Sequence, residues 1–272
     1  KRGRAMAATN WTIYPLLLGE ADVSRTLDAF WSLSREKDVV TVPILAWLLI
    51  SDGEGRPILV DTGFSDAERA MSIQRLGPHR SRPEWTLEAQ LALHGLTVAD
   101  IETVILTHLH YDHAGGCVAL PQARFVVQRS ELQAAAAPIV SRQLDFGGGA
   151  VFYDRRDVAL LVDAFWPRVD LLEGDAEVAP GVRCVLFANT HTPGSQAVYV
   201  QTAGGTAVIL GDIARNVELN INQGIPPGLY YDLEATRRAM ARIRADADFP
   251  LPTHDYDIFH RWADGLPARA GR

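Results

Sequence analysis

The sequence predicts one α/β domain, because short apolar stretches typical of buried strands alternate along the chain with stretches of helical, amphipathic spacing. Apolar residues make up 47% of the 272 residues, which is enough for a sizeable hydrophobic core. Histidine and aspartate residues directly follow several predicted strands, so polar groups would gather at strand ends. We expect a single domain over residues 10–272 and a disordered or expression-derived tail at residues 1–9.

The first half of the predicted domain contains a β-hairpin and two helices. A Gly-containing turn at residues 51–55 connects two apolar stretches, as in a hairpin. Ser65 and Glu68 have the spacing of a capping box at the start of a helix. The predicted strands cover residues 11–18, 40–50 and 57–60, and the helices cover residues 65–76 and 86–94. We interpret His94 as structural, and His79 and His260 as surface residues.

In the second half of the domain, predicted strands and helices alternate again, except over residues 138–176. Strands are predicted at residues 103–106, 124–128, 182–187, 197–201 and 206–210, and helices at residues 130–137 and 232–245. We expect the arginines of the last helix to be solvated. Residues 138–176 show no clean period and carry scattered aromatic residues, which predicts an insertion rather than part of a sheet. It is either a lid over a pocket or a surface excursion around a satellite core.

The densest cluster of polar groups follows the strand at residues 103–106. His108, His110, Asp112 and His113 place three imidazoles and one carboxylate within six residues. These side chains are the usual nitrogen and oxygen ligands of Zn²⁺ and similar cations, and burying them without a cation would be costly. His108 and His110 point the same way if the strand geometry continues, and Asp112 and His113 then turn away. The sequence therefore predicts a metal site, with one ligand pair for each of two cations.

This stretch resembles the signature of the metallo-β-lactamase superfamily, Thr-His-x-His-x-Asp-His-x-Gly-Gly, which runs here from Thr107 to Gly116. Further ligand types follow in the order that the resemblance implies, at His191, Asp212 and His254. By resemblance, His108, His110 and His191 hold one metal, Asp112, His113 and His254 hold a second, and Asp212 bridges them. The resemblance also implies a four-layered αββα sandwich with the metals at one edge.

The resemblance implies two zinc ions, with Mn, Fe or Co as alternatives. Two such cations lower the pKa of a shared water and polarise a carbonyl or phosphoryl oxygen, which yields a hydroxide nucleophile at neutral pH. Asp112 is the carboxylate expected to orient this hydroxide and to carry its proton to the leaving group. Asp61, in an Asp-Thr-Gly turn after the third strand, is expected to orient a ligand histidine.

Within the superfamily, the segment from Asn216 to Asp232 and the intervals between the ligands resemble the N-acyl homoserine lactonase branch. Those lactonases carry a tyrosine three residues after the bridging aspartate, where this chain has Arg215. We interpret Arg215 as a catalytic residue that holds an acidic substrate group or an oxyanion. The alternative is that Arg215 forms a salt bridge at the surface. Ser195 also replaces a common histidine. Tyr111, Tyr230 and Tyr231 are candidates for the missing phenol.

We therefore predict a hydrolase that opens a lactone or a related cyclic or aryl ester, which could carry an acidic group. The alternatives are a phosphotriesterase or phosphodiesterase, and a sulfur dioxygenase with one iron; the complete second set of ligands disfavours the dioxygenase. The net charge of −7 argues against nucleic acid and anionic membranes as partners. We expect a small-molecule substrate and a cytoplasmic protein, for which a homodimer is a possible assembly.

Overall fold

The computed structural model describes residues 9–29, 38–74, 77–137 and 152–266. Within these ranges the first sheet has seven strands, in the spatial order β4-β1-β2-β3-β5-β6-β7. They are β1 (Trp11–Ser24), β2 (Val39–Ser51), β3 (Ile58–Val60), β4 (His79–Arg80), β5 (Thr103–Ile105), β6 (Arg124–Gln128) and β7 (Val169–Leu172). The strands β3, β5, β6 and β7 run parallel to one another, so their carboxyl ends lie at one edge.

The second sheet has five strands in the described ranges, in the order β12-β11-β10-β9-β8. They are β8 (Ala176–Ala179), β9 (Val182–Leu186), β10 (Gln196–Thr202), β11 (Gly205–Ile209) and β12 (Phe249–Leu251). The strands β10 and β11 form a hairpin, with Thr202 opposite Gly205. The strands β11 and β12 are parallel, and both end near the ligand candidates Asp212 and His254.

Seven helices pack around the two sheets in the described ranges. They are α1 (Ala67–Gln74), α2 (Leu87–Ala92), α3 (Tyr111–Ala114), α4 (Arg129–Ala136), α5 (Arg155–Val162), α6 (Leu233–Asp246) and α7 (Asp257–Trp262), with a π-helical segment at Val217–Asn222. Single 3₁₀ turns lie at Arg25–Leu27, Pro83–Trp85, Val98–Asp100, Gly115–Ala119 and Trp166–Arg168. The arginines of α6 are exposed, as predicted.

Three apolar cores show that these elements form four layers. Trp47 lies in the core between the two sheets, whereas its neighbour Leu48 lies in the core between the first sheet and α2, α4 and α5. This split follows from the alternation of side chains along a strand. The outer face of the second sheet packs on α6 through residues such as Val208 and Ile243. The predicted αββα sandwich is therefore confirmed.

Residues 138–176 differ from the sequence prediction. Their described part, residues 152–176, contains the helix α5 and the strand β7, which pairs with β6 and extends the first sheet. The prediction that this segment lies outside the sheet was wrong, because α5 and β7 are too short for their period to stand out. Phe165 stacks on Phe125 in the helix-side core, while Phe152 lines a pocket. Phe146 and the three glycines at 147–149 lie outside the described residues, as do residues 1–8 of the predicted tail.

Two smaller predictions also need correction. The helix α1 begins after Asp66, whose carboxylate accepts a hydrogen bond from the Arg69 N–H at 2.6 Å, so Asp66 rather than Ser65 caps it. His79 is not a surface residue, because it is 5% exposed and its Nε2 lies 2.8 Å from the Tyr111 hydroxyl. The strand β4 brings His79 into the interior by pairing with the far end of β1.

Candidate metal centre

The turn after β5 carries the four side chains of the central motif to one edge of the sandwich. His110 is still extended, with φ −64° and ψ 153°, and the single helical turn α3 begins at the next residue. His113 does not turn away from His108 as predicted, because the two rings lie side by side with their centroids 4.0 Å apart. The two glycines after the motif are required by close packing. A Cβ on Gly116 would lie 2.1 Å from the Thr62 carbonyl oxygen.

His108, His110 and His191 converge as the first histidine group. The Nδ1 atom of His110 lies 3.1 Å from His108 Nε2 and 3.0 Å from His191 Nε2. All three rings are buried. His191 Nδ1 lies 3.2 Å from the Leu229 carbonyl oxygen, to which it can donate its proton, so that Nε2, which faces His110, keeps its lone pair for a cation. Burial lowers the pKa of His191 to about 4, so this imidazole is neutral and able to bind a cation.

Asp112, His113 and His254 form the second ligand group. His113 Nδ1 lies 2.8 Å from Asp61 Oδ2, and His254 Nδ1 lies 2.9 Å from the Pro43 carbonyl oxygen. The opposite Nε2 atoms of His113 and His254 are buried and make no hydrogen bond of good geometry within the described chain. Buried ring nitrogens left in this way fit a bound cation, because an unpaired polar group is otherwise costly.

The charge around His113 also favours a cation. Burial alone would lower the pKa of His113, but the carboxylates of Asp61, Asp112 and Asp212 raise it well above its ordinary value. His113 Nε2 lies 3.3 Å from Asp212 Oδ1, and Asp112 Oδ2 lies 4.0 Å from the same nitrogen. This nitrogen therefore lies where the carboxylates stabilise positive charge, which a proton or a divalent cation can supply.

Asp212 lies between the two groups and contacts both. Its Oδ1 atom is 3.0 Å from His254 Nε2 and 3.3 Å from His113 Nε2, whereas its Oδ2 atom is 3.6 Å from His191 Nε2. Burial would raise the pKa of Asp212, yet His254, Arg215 and His113 hold it well below its ordinary value. The carboxylate is therefore ionised and offers one oxygen to each group.

Asp61 supports this turn from the neighbouring strand. It is fully buried, and its Oδ1 atom accepts a hydrogen bond from the Thr107 N–H at 2.8 Å, while Oδ2 accepts from His113 Nδ1. Its φ of 59° lies in the left-handed region, which non-glycine residues adopt mainly where surrounding contacts compensate the strain. The sequence expectation for Asp61 therefore has a geometric basis, because one carboxylate contacts both the backbone and a ring of the motif.

Glu131 of α4 was not identified from the sequence. It is 0% exposed, and four donors surround it: the N–H groups of Leu109 and Gly194 at 2.9 Å each, the Thr192 hydroxyl at 2.7 Å and the Tyr153 hydroxyl at 3.0 Å. Two of these donors belong to the loop of His191 and one to the central motif. A Cβ on Gly194 would lie 2.3 Å from the Glu131 nitrogen, so a glycine is needed for this approach. Glu131 thus joins the two loops that carry the first histidine group.

Some of the remaining predicted residues line the pocket and others do not. Arg215 lies in the pocket beside the ligand groups and is 5% exposed, so the alternative of a surface salt bridge was wrong. Tyr111 lines the same pocket, with its hydroxyl directed to His79. Ser195 closes the turn at His191 by accepting a hydrogen bond from the Thr192 N–H at 2.9 Å. Tyr230 and Tyr231 lie beyond the described lining of the pocket, and Tyr231 is 44% exposed.

The pocket combines a polar floor with an apolar wall. Its polar lining consists of His110, Tyr111, Asp112, Asp212, Arg215 and His254. Its apolar lining consists of Ala21, Val23, Leu27, Val42, Ile44, Phe152 and Leu229. A small molecule with one apolar end and one reactive polar end fits this division. None of the described helices is long and apolar enough to cross a membrane.

The sequence comparisons agree with this geometry. A sequence model of the metallo-β-lactamase superfamily matches residues 40–250. The N-acyl homoserine lactonase AiiA of Bacillus thuringiensis subsp. kurstaki is 28% identical over 189 residues, which are 66% of this chain and 68% of that relative. The N-acyl homoserine lactonase AiiB of Agrobacterium fabrum is 26% identical over 222 residues, which are 77% of each chain.

Solved structures share the fold. A B. thuringiensis AiiA mutant with N-decanoyl-L-homoserine bound at its active site gives a TM-score of 0.74 at 22% identity, covering 90% of this chain and 94% of that one. AidC, a dizinc quorum-quenching lactonase in complex with a product, gives 0.67 at 15% identity, covering 92% and 89%. At these identities the likeness concerns the fold alone.

Proposed function

Since the chain is a metal-dependent hydrolase of the metallo-β-lactamase superfamily, we propose that it holds two zinc ions and opens lactones or related cyclic and aryl esters. The observation that carries this proposal is the position of Asp212, whose two oxygens approach the two ligand groups separately. A site for one metal needs only one such group. We also propose that residues 10–272 form one domain.

In this proposal, His108, His110 and His191 hold one zinc, Asp112, His113 and His254 hold the other, and Asp212 bridges them. Zinc is favoured over Mn, Fe or Co because the ligand set is rich in imidazole, which suits zinc. When bound, the two cations would lower the pKa of a water molecule and polarise an ester carbonyl.

Asp112 is the proposed proton carrier. Its Oδ2 atom lies 3.6 Å from His254 Nε2. Asp112 also lines the pocket, so its carboxylate can meet a substrate or water there. A carboxylate in this place can accept the proton of the attacking water and pass it to the leaving alkoxide, and it needs no serine nucleophile.

The apolar wall supports the substrate class. A lactone or ester with an alkyl or aryl substituent would place that substituent against Val23, Val42 and Ile44, and its carbonyl against the polar floor. N-acyl homoserine lactonases are among the relatives in sequence. We therefore propose a lactone with an apolar substituent as the first substrate to test.

The experiment is a substrate panel on zinc-loaded protein. It compares N-acyl lactones of graded chain length, simple lactones, aryl esters and phosphotriesters, with a chelated sample of the same preparation as the control. We expect lactones to give the highest kcat/KM, and efficiency to rise with the length of the apolar substituent. Hydrolysis of phosphotriesters alone would point to the phosphoesterase alternative, and thiol-dependent oxygen consumption would point to the sulfur dioxygenase.

A further inference from the structure

Arg215 is held in the pocket wall by two carboxylates from different parts of the chain. Its Nη1 atom donates to Asp212 Oδ2 at 2.7 Å, and its Nε atom donates to Asp28 Oδ1 at 3.3 Å. An arginine guanidinium is charged at any ordinary pH. Its third nitrogen, Nη2, makes no hydrogen bond within the described part of the chain.

Of these two carboxylates, only Asp28 pairs with Arg215 alone. The charge of Asp212 is shared with His113, His254 and His191, and it would be taken up further by the metals of the proposed function. In the described chain the Asp28 carboxylate has Arg215 as its single ion-pair partner. Asp28 is therefore the counter-ion that offsets the Arg215 charge.

The backbone around Asp28 is fixed, so this pairing is part of the fold. The buried Asn220 side chain donates to the Asp28 carbonyl oxygen at 2.8 Å and accepts the Arg215 N–H at 2.8 Å. The Gly228 N–H donates to the Leu27 carbonyl oxygen at 3.0 Å, and a Cβ on Gly228 would come within 1.7 Å of the Thr26 carbonyl oxygen. The turn at residues 25–28 is thus closely packed against the loop that follows Arg215.

We propose that Asp28 positions and neutralises Arg215, so that the pair presents an N–H donor without net charge to the pocket and selects neutral lactones and esters over acidic ones. A free arginine would favour a substrate carboxylate, whereas a paired one offers a hydrogen bond to a carbonyl or ring oxygen. This inference deepens the proposed function. It differs from the sequence expectation of an acidic substrate group, which did not include Asp28.

The test measures binding as well as turnover. Two lactams of equal length, one ending in a methyl group and one in a carboxylate, are titrated into zinc-loaded protein by calorimetry. The wild type is expected to bind the neutral lactam more tightly. In Asp28→Asn, which preserves the shape of the side chain and removes its charge, this preference is expected to fall about ten-fold, because an uncompensated cation then faces the ligand.

The double variant Asp28→Asn/Arg215→Gln and the exposed variant Asp170→Asn serve as controls. If Asp28 acts through Arg215, Asp28→Asn changes the preference less than about two-fold when Arg215 is already Gln. Asp170→Asn removes another arginine partner at the surface and should leave the preference unchanged. Circular dichroism and metal content verify that each variant is folded and loaded.

The outcomes separate the two proposals. An unchanged preference in folded Asp28→Asn, an equal change in the Arg215→Gln background, or failure of the wild type to bind either lactam would overturn the role of Asp28. If the lactams bind as expected while no lactone or ester is hydrolysed, the proposed function is wrong, but the proposed role of Asp28 in neutralising Arg215 is retained.

Discussion

Asp212 is the residue on which the two-metal account depends at the smallest scale. Asp212→Ala removes the oxygens that approach both ligand groups, whereas Asp112→Asn alters a residue of the second group alone. We expect Asp212→Ala to lower bound metal below two per chain and kcat/KM by at least about 100-fold, as the loss of a shared ligand should. We expect Asp112→Asn to reduce turnover but to keep more metal. Elemental analysis and kinetics of both variants test this, and two metals with normal turnover in Asp212→Ala would remove the bridging role.

At the same scale, the sequence could indicate the seven ligand candidates and their support Asp61, but not Asp28 or Glu131. The four residues of the central motif lie within six positions, so a local pattern is enough to find them, and the other three were expected from the resemblance that this motif carries. Asp28 and Glu131 have no such pattern. Their partners are distant in sequence: Asp28 contacts Arg215, 187 residues away, and Glu131 contacts Gly194, 63 residues away. Only the packed sandwich brings these groups together.

The helix α4 positions the first histidine group through Glu131, and this gives a prediction at the scale of an element. Glu131→Gln replaces one acceptor oxygen by an amide that faces donors, so the loop of His191 or the central motif loses its anchor. We expect zinc affinity to fall about 10- to 100-fold, and the free energy of unfolding to fall by about 1 to 3 kcal/mol.

Chelator competition and urea unfolding measure the two effects of Glu131→Gln. Gln133→Ala, on the exposed side of the same helix, is the matched control and should behave as the wild type. Wild-type zinc affinity in a folded Glu131→Gln variant would show that the loops keep their positions without this anchor.

The helix α5 predicts a dependence of stability on pH. Asp157 is 6% exposed, and burial together with the charge of Asp154 raises its pKa to about 7 from 3.8. The folded state therefore holds a proton that the unfolded state releases near pH 4. The stability from this proton is fully present below pH 4 and is lost as the pH rises through about 7. Asp157→Asn cannot ionise, so at pH 8 it should be more stable than the wild type by about 2 to 4 kcal/mol.

Urea unfolding at pH 5 and pH 8 checks the prediction for Asp157. The gain in Asp157→Asn should be clearly larger at pH 8 than at pH 5. Asp163→Asn, at the exposed end of the same helix, should show no such difference. An equal effect of Asp157→Asn at both pH values would mean that the Asp157 carboxyl is already ionised in the folded protein at pH 5.

Elements with a clear pattern of apolar residues were predictable from the sequence, whereas elements that form only by pairing with a neighbouring strand were not. The strand β2 is continuously apolar along its centre and was located almost correctly. The strand β1 continues to Ser24, six residues beyond its predicted end, because a register shift between Leu17 and Gly19 breaks the alternation and polar residues follow. The strand β7 is only partly buried and takes its place by pairing with β6.

For the whole molecule, the alternation of strand-like and helix-like stretches predicted an α/β protein, while the four layers were expected only from the resemblance of the central motif. No local pattern says that a second sheet packs on the first. The metal centre depends on that packing, since His108 to His113 and Asp61 follow strands of the first sheet and His191, Asp212 and His254 follow strands of the second. Each sheet alone carries an incomplete site.

We propose that the edge shared by the two sheets holds two metals and that both are needed for hydrolysis. The most direct measurement is the metal content per chain of protein purified without chelators, followed by lactone turnover as metal is removed and returned stepwise. We predict two zinc ions per chain, loss of turnover on chelation, and recovery that is complete only when the second equivalent has been added. Full turnover at a ratio of one metal per chain or less would contradict the account.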